Sequence, residues 1–227
     1  VAGGVLASAV AVNTLVFMIA DGVLFRPLPY RDPDRLVRVF EASESQPRFP
    51  LSLYNYEENK RASKTIESIA LYTRQDMQLM HEERPERLRS VAITSDFFPT
   101  LGVTTALGRN FADSELVQRA RVIIISHTFW TSRFDADPAI VGRTVRLESR
   151  AAQIVGVLEP SVPYPAEIEL MADMVTSPHH LFATMVTGRK HRMTEVFART
   201  TVAATLEATR QELTSAYESI KRENAEA

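Results

Sequence analysis

From Val1 to Ala20 the chain carries no charge, and its only polar side chains are Ser8, Asn13 and Thr14. A predominantly apolar helix of about 20 residues crosses a bilayer, so this pattern predicts a transmembrane helix over 1–23. Isolated hydroxyls and one amide are tolerated in such a helix, where they bond to backbone or to a neighbouring helix. Gly3, Gly4, Ala7 and Ala11 place small residues on one face, which lets a second helix come close. A cleaved signal peptide and a buried helix of a soluble domain are the competing readings; the former usually has a shorter apolar core and ends at a small-residue cleavage site. The chain opens on Val1, already within the apolar run, and reads as a fragment whose cytoplasmic start lies before it.

The pattern breaks at Asp21 and at Leu24-Phe25-Arg26-Pro27-Leu28-Pro29-Tyr30. Pro27 and Pro29 have no backbone donor and push the residues before them toward extended geometry. A stiff stalk over 24–34 is expected. Asp21 is either the membrane-interface boundary or a functional intramembrane acid; Arg26 is either a headgroup anchor or its partner. Asp21, Arg26, Pro27, Pro29 and Tyr30 are the candidate coupling residues.

Beyond the stalk, short alternating and helical patterns interleave. Leu36, Val37 and Val39 mark a strand within 35–41. Ser52 caps a helix to about Ser63, in which Glu57 and Glu58 precede Lys60 and Arg61 as the helix dipole favours. Short strands are expected at 69–73 and 78–81, a turn at 82–85, and a strand at 87–94. Ser95 or Asp96 caps a short helix that Gly102 ends. The connector 106–115 reads as irregular. Val122-Ile123-Ile124-Ile125 suits a strand buried on both faces. A short helix over 127–134 precedes a hairpin, 144–147 with 152–157. Residues 171–177 are ambiguous, and 195–199 reads as the last strand. Thr205 then caps a long helix with Leu206, Leu213, Tyr217 and Ile220 on one face and Glu207, Glu212, Glu218 and Lys221 on the other. Strands and helices mix without regular alternation, so the class is α+β rather than a doubly wound sheet.

The bulk numbers narrow the function. The 227 residues are 24% charged and 45% hydrophobic with a formal net charge of −2, enough for a real core and without the basic excess of a nucleic-acid binder. There is no cysteine, which excludes disulfides, thiolate metal sites and a cysteine nucleophile.

No catalytic constellation stands out. Ser126 and His127 are sequence neighbours and project differently, whereas a triad is defined by geometry. His179 and His180 lack the i, i+4 spacing that places two ligands on one helix face. Gly102 and Gly108 belong to no phosphate-cradling motif. Tyr54, Tyr56, Phe97, Phe98, Phe129, Trp130 and Phe134 could line a groove, but aromatics mainly fill cores. No catalytic residue, metal ligand or cofactor-binding residue is assigned.

A family resemblance runs down the chain. Asn13-Thr14, Phe17, Asp21 and Leu24 to Val37 resemble the first transmembrane helix and exit stalk of MacB-like ABC transporter permeases, especially the duplicated orphan branch. Glu86-Arg87-Leu88-Arg89, Phe97-Phe98, Leu101-Gly102-Val103, Ala106-Leu107-Gly108-Arg109 and Phe111 are similar to its central signature. Ser126-His127, Trp130, Arg133-Phe134, Asp137-Pro138, Ile140-Val141-Gly142-Arg143, Leu147 and Ile154-Val155-Gly156-Val157 are similar to its next blocks. The chain departs from the pattern at Asn59 and Met171, where the family often has tryptophan, and at Thr200 to Ala204.

The resemblance implies a two-lobed periplasmic core domain: a porter-like lobe over 35–104 and 192–225, and an inserted lobe over 105–191. It implies a permease of the inner membrane with its soluble domain periplasmic, not itself an enzyme, that relays the motion of a partner ATPase to export of a substrate. The expected partners are that ABC ATPase, which uses the ATP, a second permease copy, a periplasmic adaptor and membrane lipid, with further transmembrane helices after Ala227. The alternative is a single-span anchored binding or sensor module; a membrane-anchored hydrolase rests only on scattered Ser and His.

Overall fold

A computed structural model describes residues 30–41, 48, 50–81, 84–112, 114–115, 120–147, 150–160, 168–173 and 194–225. The expected transmembrane helix, with Asp21, Arg26, Pro27 and Pro29, lies outside these residues, as do His179 and His180. Among the described residues no helix is long and apolar enough to cross a membrane.

Nine described strands form one sheet: β1 (Leu36–Val39), β2 (Ile66–His81), β3 (Arg84–Ile93), β4 (Thr105–Gly108), β5 (Val122–Ile125), β6 (Thr144–Leu147), β7 (Arg150–Leu158), β8 (Leu170–Asp173) and β9 (Glu195–Thr200). Four helices accompany them: α1 (Leu53–Ala62), α2 (Phe97–Leu101), α3 (His127–Arg133) and α4 (Leu206–Ala225). The strand order is β1-β9-β2-β3-β8-β5-β7-β4, and β6 bridges β7 to β2. That bridge closes β2, β3, β8, β5, β7 and β6 into a ring, with Leu79 opposite Leu147 at the seam.

Strand alternation sorts the apolar residues. In the β1-β9-β2-β3 region, Ile69, Leu71, Val196 and Ala198 face α1 through Tyr56 and α4 through Leu213. Ala70, Tyr72, Val91, Ile93 and Phe197 face α2 through Phe97, Phe98 and Leu101. Phe97 is the hub, edge-on to Tyr72, Phe98 and Phe197 at 6.0, 5.5 and 5.1 Å between centroids; each such pair adds about 0.5–1.5 kcal/mol beyond burial. Inside the ring a further core holds Leu79, Leu88, Ile123, Ile125, Ile154 and Leu170, with Phe129 of α3 against it. β5 serves both sides, since Ile124 packs in the α2 core, as its uninterrupted apolar run predicts.

Several local expectations change. The two short strands at 69–73 and 78–81 are one strand of 16 residues. Its polar middle, Arg74 to Asp76, keeps full register with β3, Arg74 opposite Val91 and Asp76 opposite Arg89. β3 starts at Arg84, inside the expected turn, and carries Pro85 opposite Met80. Proline is tolerated there because β8 pairs only with Ser90 to Ile93, leaving that end of β3 an edge. Residues 106–108, at the start of the stretch expected to be irregular, belong to β4, which pairs with β7. The approach needs Gly108, at φ +73°, because a Cβ there would lie 2.1 Å from the Val155 carbonyl oxygen. The ambiguous 171–177 begins with strand β8.

Three of the expected caps form, whereas Asp96, at the N-cap of α2, makes no side-chain cap hydrogen bond. Ser52 Oγ accepts from Asn55 N at 3.2 Å, Thr205 Oγ1 from Ala208 N at 3.1 Å, and Gly102 ends α2 at φ +73°. On α4 the assigned faces shift. Leu206 is 69% exposed, whereas Thr209 is buried, and Glu212 turns toward the α1–β2 connection rather than to water.

Candidate functional site at the incoming and outgoing segments

The chain reaches the sheet through Tyr30 to Arg35 and leaves it through Thr200 to Thr205. These two segments meet. Asp32 sits at φ +41°, a left-handed conformation that aspartate tolerates better than most residues. Pro33 then presets a single 3-10 turn, Pro33–Arg35, closed by Arg35 N donating to Asp32 O at 3.0 Å. β1 follows at once and pairs antiparallel with β9, Leu36 opposite Arg199.

Arg35 ties the two segments together. Its Nε and Nη2 donate to Thr200 O at 2.8 and 2.6 Å, and Thr200 Oγ1 donates back to Arg35 O at 3.4 Å. Its Nη1 reaches Asp32 Oδ2 at 3.2 Å, and its Nη2 also pairs with Glu67. Arg31 donates to the other oxygen of Glu67 at 3.1 Å. Glu67 is 42% exposed, so these ion pairs are screened and worth about 0–1 kcal/mol each. The charge-assisted bonds to the Thr200 carbonyl are the stronger element.

Beneath them lies Arg199, fully buried. Its Nε donates to Thr100 O of α2 at 2.9 Å and its Nη1 to Asp32 O at 3.1 Å. One guanidinium thus pins both α2 and the incoming segment to β9. Burial lowers its pKa, the neighbouring Arg31 and Arg35 lower it further, and Asp32 and Glu67 oppose that. Gly102 completes the joint: a Cβ there would lie 2.6 Å from Arg31 Cβ, so the incoming segment rests directly on the end of α2.

The outgoing helix is fastened by Glu212. Its carboxylate accepts from Lys64 N at 2.7 Å, Thr65 N at 2.9 Å, Ser63 Oγ at 3.0 Å and Thr65 Oγ1. Thr201 N adds a bond to Thr65 O at 2.8 Å. Burial alone would raise the Glu212 pKa; the bonds from Thr65, Lys64 and Ser63 together outweigh it and lower the value to about 2.

Of the sequence-derived coupling residues, Tyr30 alone is described, partly buried against the α2 core. Sequence reasoning missed Arg31, Arg35, Glu67, Arg199 and the Glu212 latch. A signal existed for Arg199, which shares the inward parity of Phe197 in β9.

The remaining candidates have structural partners. Ser126 Oγ accepts from Phe129 N at 3.2 Å, as the N-cap of α3, and His127 stands edge-on to Trp130 at 5.3 Å. Both line an open groove of about 340 Å³ with Arg89, Glu159 and Glu169. Among the described residues no hydrogen bond joins Ser126 to His127, and no cluster of three His, Cys, Asp or Glu could hold a metal. Tyr56, Phe97, Phe98 and Phe129 are core residues.

The sequence profile of the MacB-like periplasmic core domain matches residues 5–216. The chain belongs to this family. None of the curated proteins matches it. Among solved structures, this MacB-like domain is similar to the periplasmic region of MacB from Actinobacillus actinomycetemcomitans, at 15% identity and TM-score 0.61, covering 82% of each chain. It is similar to the extracellular domain of the noncanonic ABC-type transporter YknZ from Gram-positive bacteria, at 15% identity and TM-score 0.55, covering 78% of this chain and 88% of that one. It is also similar to a domain of a putative permease protein from Porphyromonas gingivalis, at 14% identity and TM-score 0.61, covering 85% and 83%. At these identities the likeness concerns the fold. Membership in the family makes this MacB-like domain an extracytoplasmic part of an ABC-type transporter permease, a kind of protein that works with an ATPase.

Proposed function

We propose that this domain relays mechanical motion in an ABC-type exporter. The observation that carries the reading is the joint: Arg35 and Arg199 hold the incoming and outgoing segments to one strand. Force applied to either segment then moves the sheet as a body instead of being dissipated in a loose linker. In this reading Val1 to Ala20 anchors the chain in the inner membrane, and Pro27 and Pro29 stiffen the stalk between membrane and joint. The porter-like lobe holds the joint, and the inserted lobe over 105–191 stands on it. The partners are an ATPase on the cytoplasmic side, which alone uses ATP, a second permease copy, a periplasmic adaptor and the surrounding lipid. The domain itself carries out no reaction.

The test uses the full-length permease with its ATPase in proteoliposomes. Replacing Pro27 and Pro29 together by glycine, or Arg35 by glutamine, should leave ATP hydrolysis in place and lower the substrate exported per ATP. Export per ATP equal to that of the unaltered transporter in both variants would refute the relay.

A further inference from the structure

The joint contains groups that its protein partners do not satisfy. Arg199 is fully buried, yet among the described residues its Nη2 has no hydrogen-bond partner, and the buried Thr100 Oγ1 and Ser68 Oγ have none either. The fold places the three on adjoining elements. Ser68 stands opposite Arg199 in the β2–β9 register. Arg199 shares the parity of Phe197, hence the face on which α2 packs. Thr100 belongs to α2, and its carbonyl already holds Arg199 Nε. Leaving buried polar groups unbonded is costly, and native structures avoid it.

The chemistry of the lining selects what fits. Among the described residues both groups that accept from Arg199 are neutral carbonyls and no carboxylate pairs with it, an arrangement that is expensive unless compensated. The nearby Asp32 and Glu67 carboxylates are engaged by Arg35 and Arg31. Those two arginines add positive field at Arg199. A bridging water would satisfy hydrogen bonds but not charge; an anion satisfies both. The guanidinium N–H only donates and the two hydroxyls can donate, which suits an anion, while the fixed guanidinium charge disfavours a cation. We propose that Arg199 Nη2, Thr100 Oγ1 and Ser68 Oγ form a buried site for a small monovalent anion of the halide class, which locks the incoming segment onto β9. The site does not rest on the transport reading.

The test is halide-dependent stability of the purified chain at constant ionic strength, with chloride or bromide exchanged for isethionate. Above the onset of saturation, each tenfold rise in halide should raise the unfolding midpoint by roughly 3–5 °C. Thr100→Val and Ser68→Ala, which remove a hydroxyl with little change of shape, should flatten that dependence. Bromide-soaked crystals of the unaltered chain supply an independent readout: an anomalous peak beside Arg199 Nη2 is expected. A midpoint indifferent to halide, or bromide peaks confined to surface arginines, overturns the proposal.

Discussion

Arg35 Nε and Nη2 both donate to the carbonyl oxygen of Thr200, at 2.8 and 2.6 Å, across a separation of 165 residues in the chain. The last turn before the first strand is thereby bound to the last residue of the final strand. Thr200 O is the acceptor at the point where β9 gives way to the turn leading into α4. The contact is therefore a sheet-end closure that joins the incoming segment to the point where the chain leaves the sheet. Arg199, one residue earlier, repeats the device from beneath by donating to Asp32 O.

Arg35→Ala removes both bonds to Thr200 O and leaves the carbonyl partly covered. A loss of about 1–3 kcal/mol is expected, with little added by the exposed pairs to Asp32 and Glu67. For a chain of this size that is a fall in unfolding midpoint of roughly 2–12 °C. Arg35→Lys should recover less than half of it, because an ammonium cannot reproduce the planar fork. A midpoint within 1 °C of the parent for Arg35→Ala, by calorimetry, would sink the view that this clamp holds the joint.

Gly102→Ala tests the other side of the joint. The left-handed backbone costs a side chain about 1–2 kcal/mol. The added Cβ would also lie 2.6 Å from Arg31 Cβ, and relieving such an overlap costs a further ~1–3 kcal/mol. Gly142 is the control: it too has positive φ, but a Cβ there meets nothing within 4 Å. Denaturant midpoints should therefore rank parent, Gly142→Ala, Gly102→Ala in falling order. Equal losses at the two glycines would show that the incoming segment does not press on α2.

Ser126→Ala separates a cap from a nucleophile. The Ser126 hydroxyl accepts from Phe129 N, so its removal should destabilise the chain by about 0.5–2 kcal/mol. Ser126→Asp retains an acceptor at the cap and should restore most of that loss. Urea unfolding of the two variants decides it; equal destabilisation by both would argue against the capping role.

What the sequence disclosed follows the range of the interactions. Ser52, Thr205 and Gly102 act within one helical turn, and their cap chemistry was readable; Ser126 acts at the same range but was not read as a cap. The Val122 to Ile125 run was readable because burial on both faces leaves a one-dimensional mark. β2 was split in reading because Arg74, Gln75 and Asp76 interrupt the apolar alternation, while its continuity depends on pairing with β3. The joint was illegible for the same reason. Arg35, Glu67, Arg199 and Thr200 come together only through the order β1-β9-β2, which nothing local specifies. Arg199 and Glu212 also mislead individually, since a charge in a strand or on a helix usually marks the solvated face. Leu206 misleads in the opposite sense: the stripe that packs runs through Thr209 and Leu213, a rotation consistent with Glu212 being drawn onto residues 63–65.

The Glu212 latch carries a pH dependence whose direction is fixed. Its carboxyl pKa is lowered from 4.5 to about 2 in the folded chain. A folded value below the unfolded one means that the unfolded chain binds the proton more readily, so stability rises with pH between the two values. The contribution is complete above about pH 4.5 and is lost as pH falls toward about 2. Glu212→Gln replaces one carboxylate oxygen by an amide that cannot accept from Lys64 N or Thr65 N, and should unfold at a lower temperature than the parent at neutral pH. Because Glu212 is only partly buried, the gap should be modest and should shrink with added salt. The decisive measurement is the difference in unfolding midpoint between parent and Glu212→Gln across pH 2 to 7. It should be flat above about pH 5 and close as the parent carboxyl protonates. A difference independent of pH would mean that the charge on Glu212 does not fasten α4 to Ser63, Lys64 and Thr65.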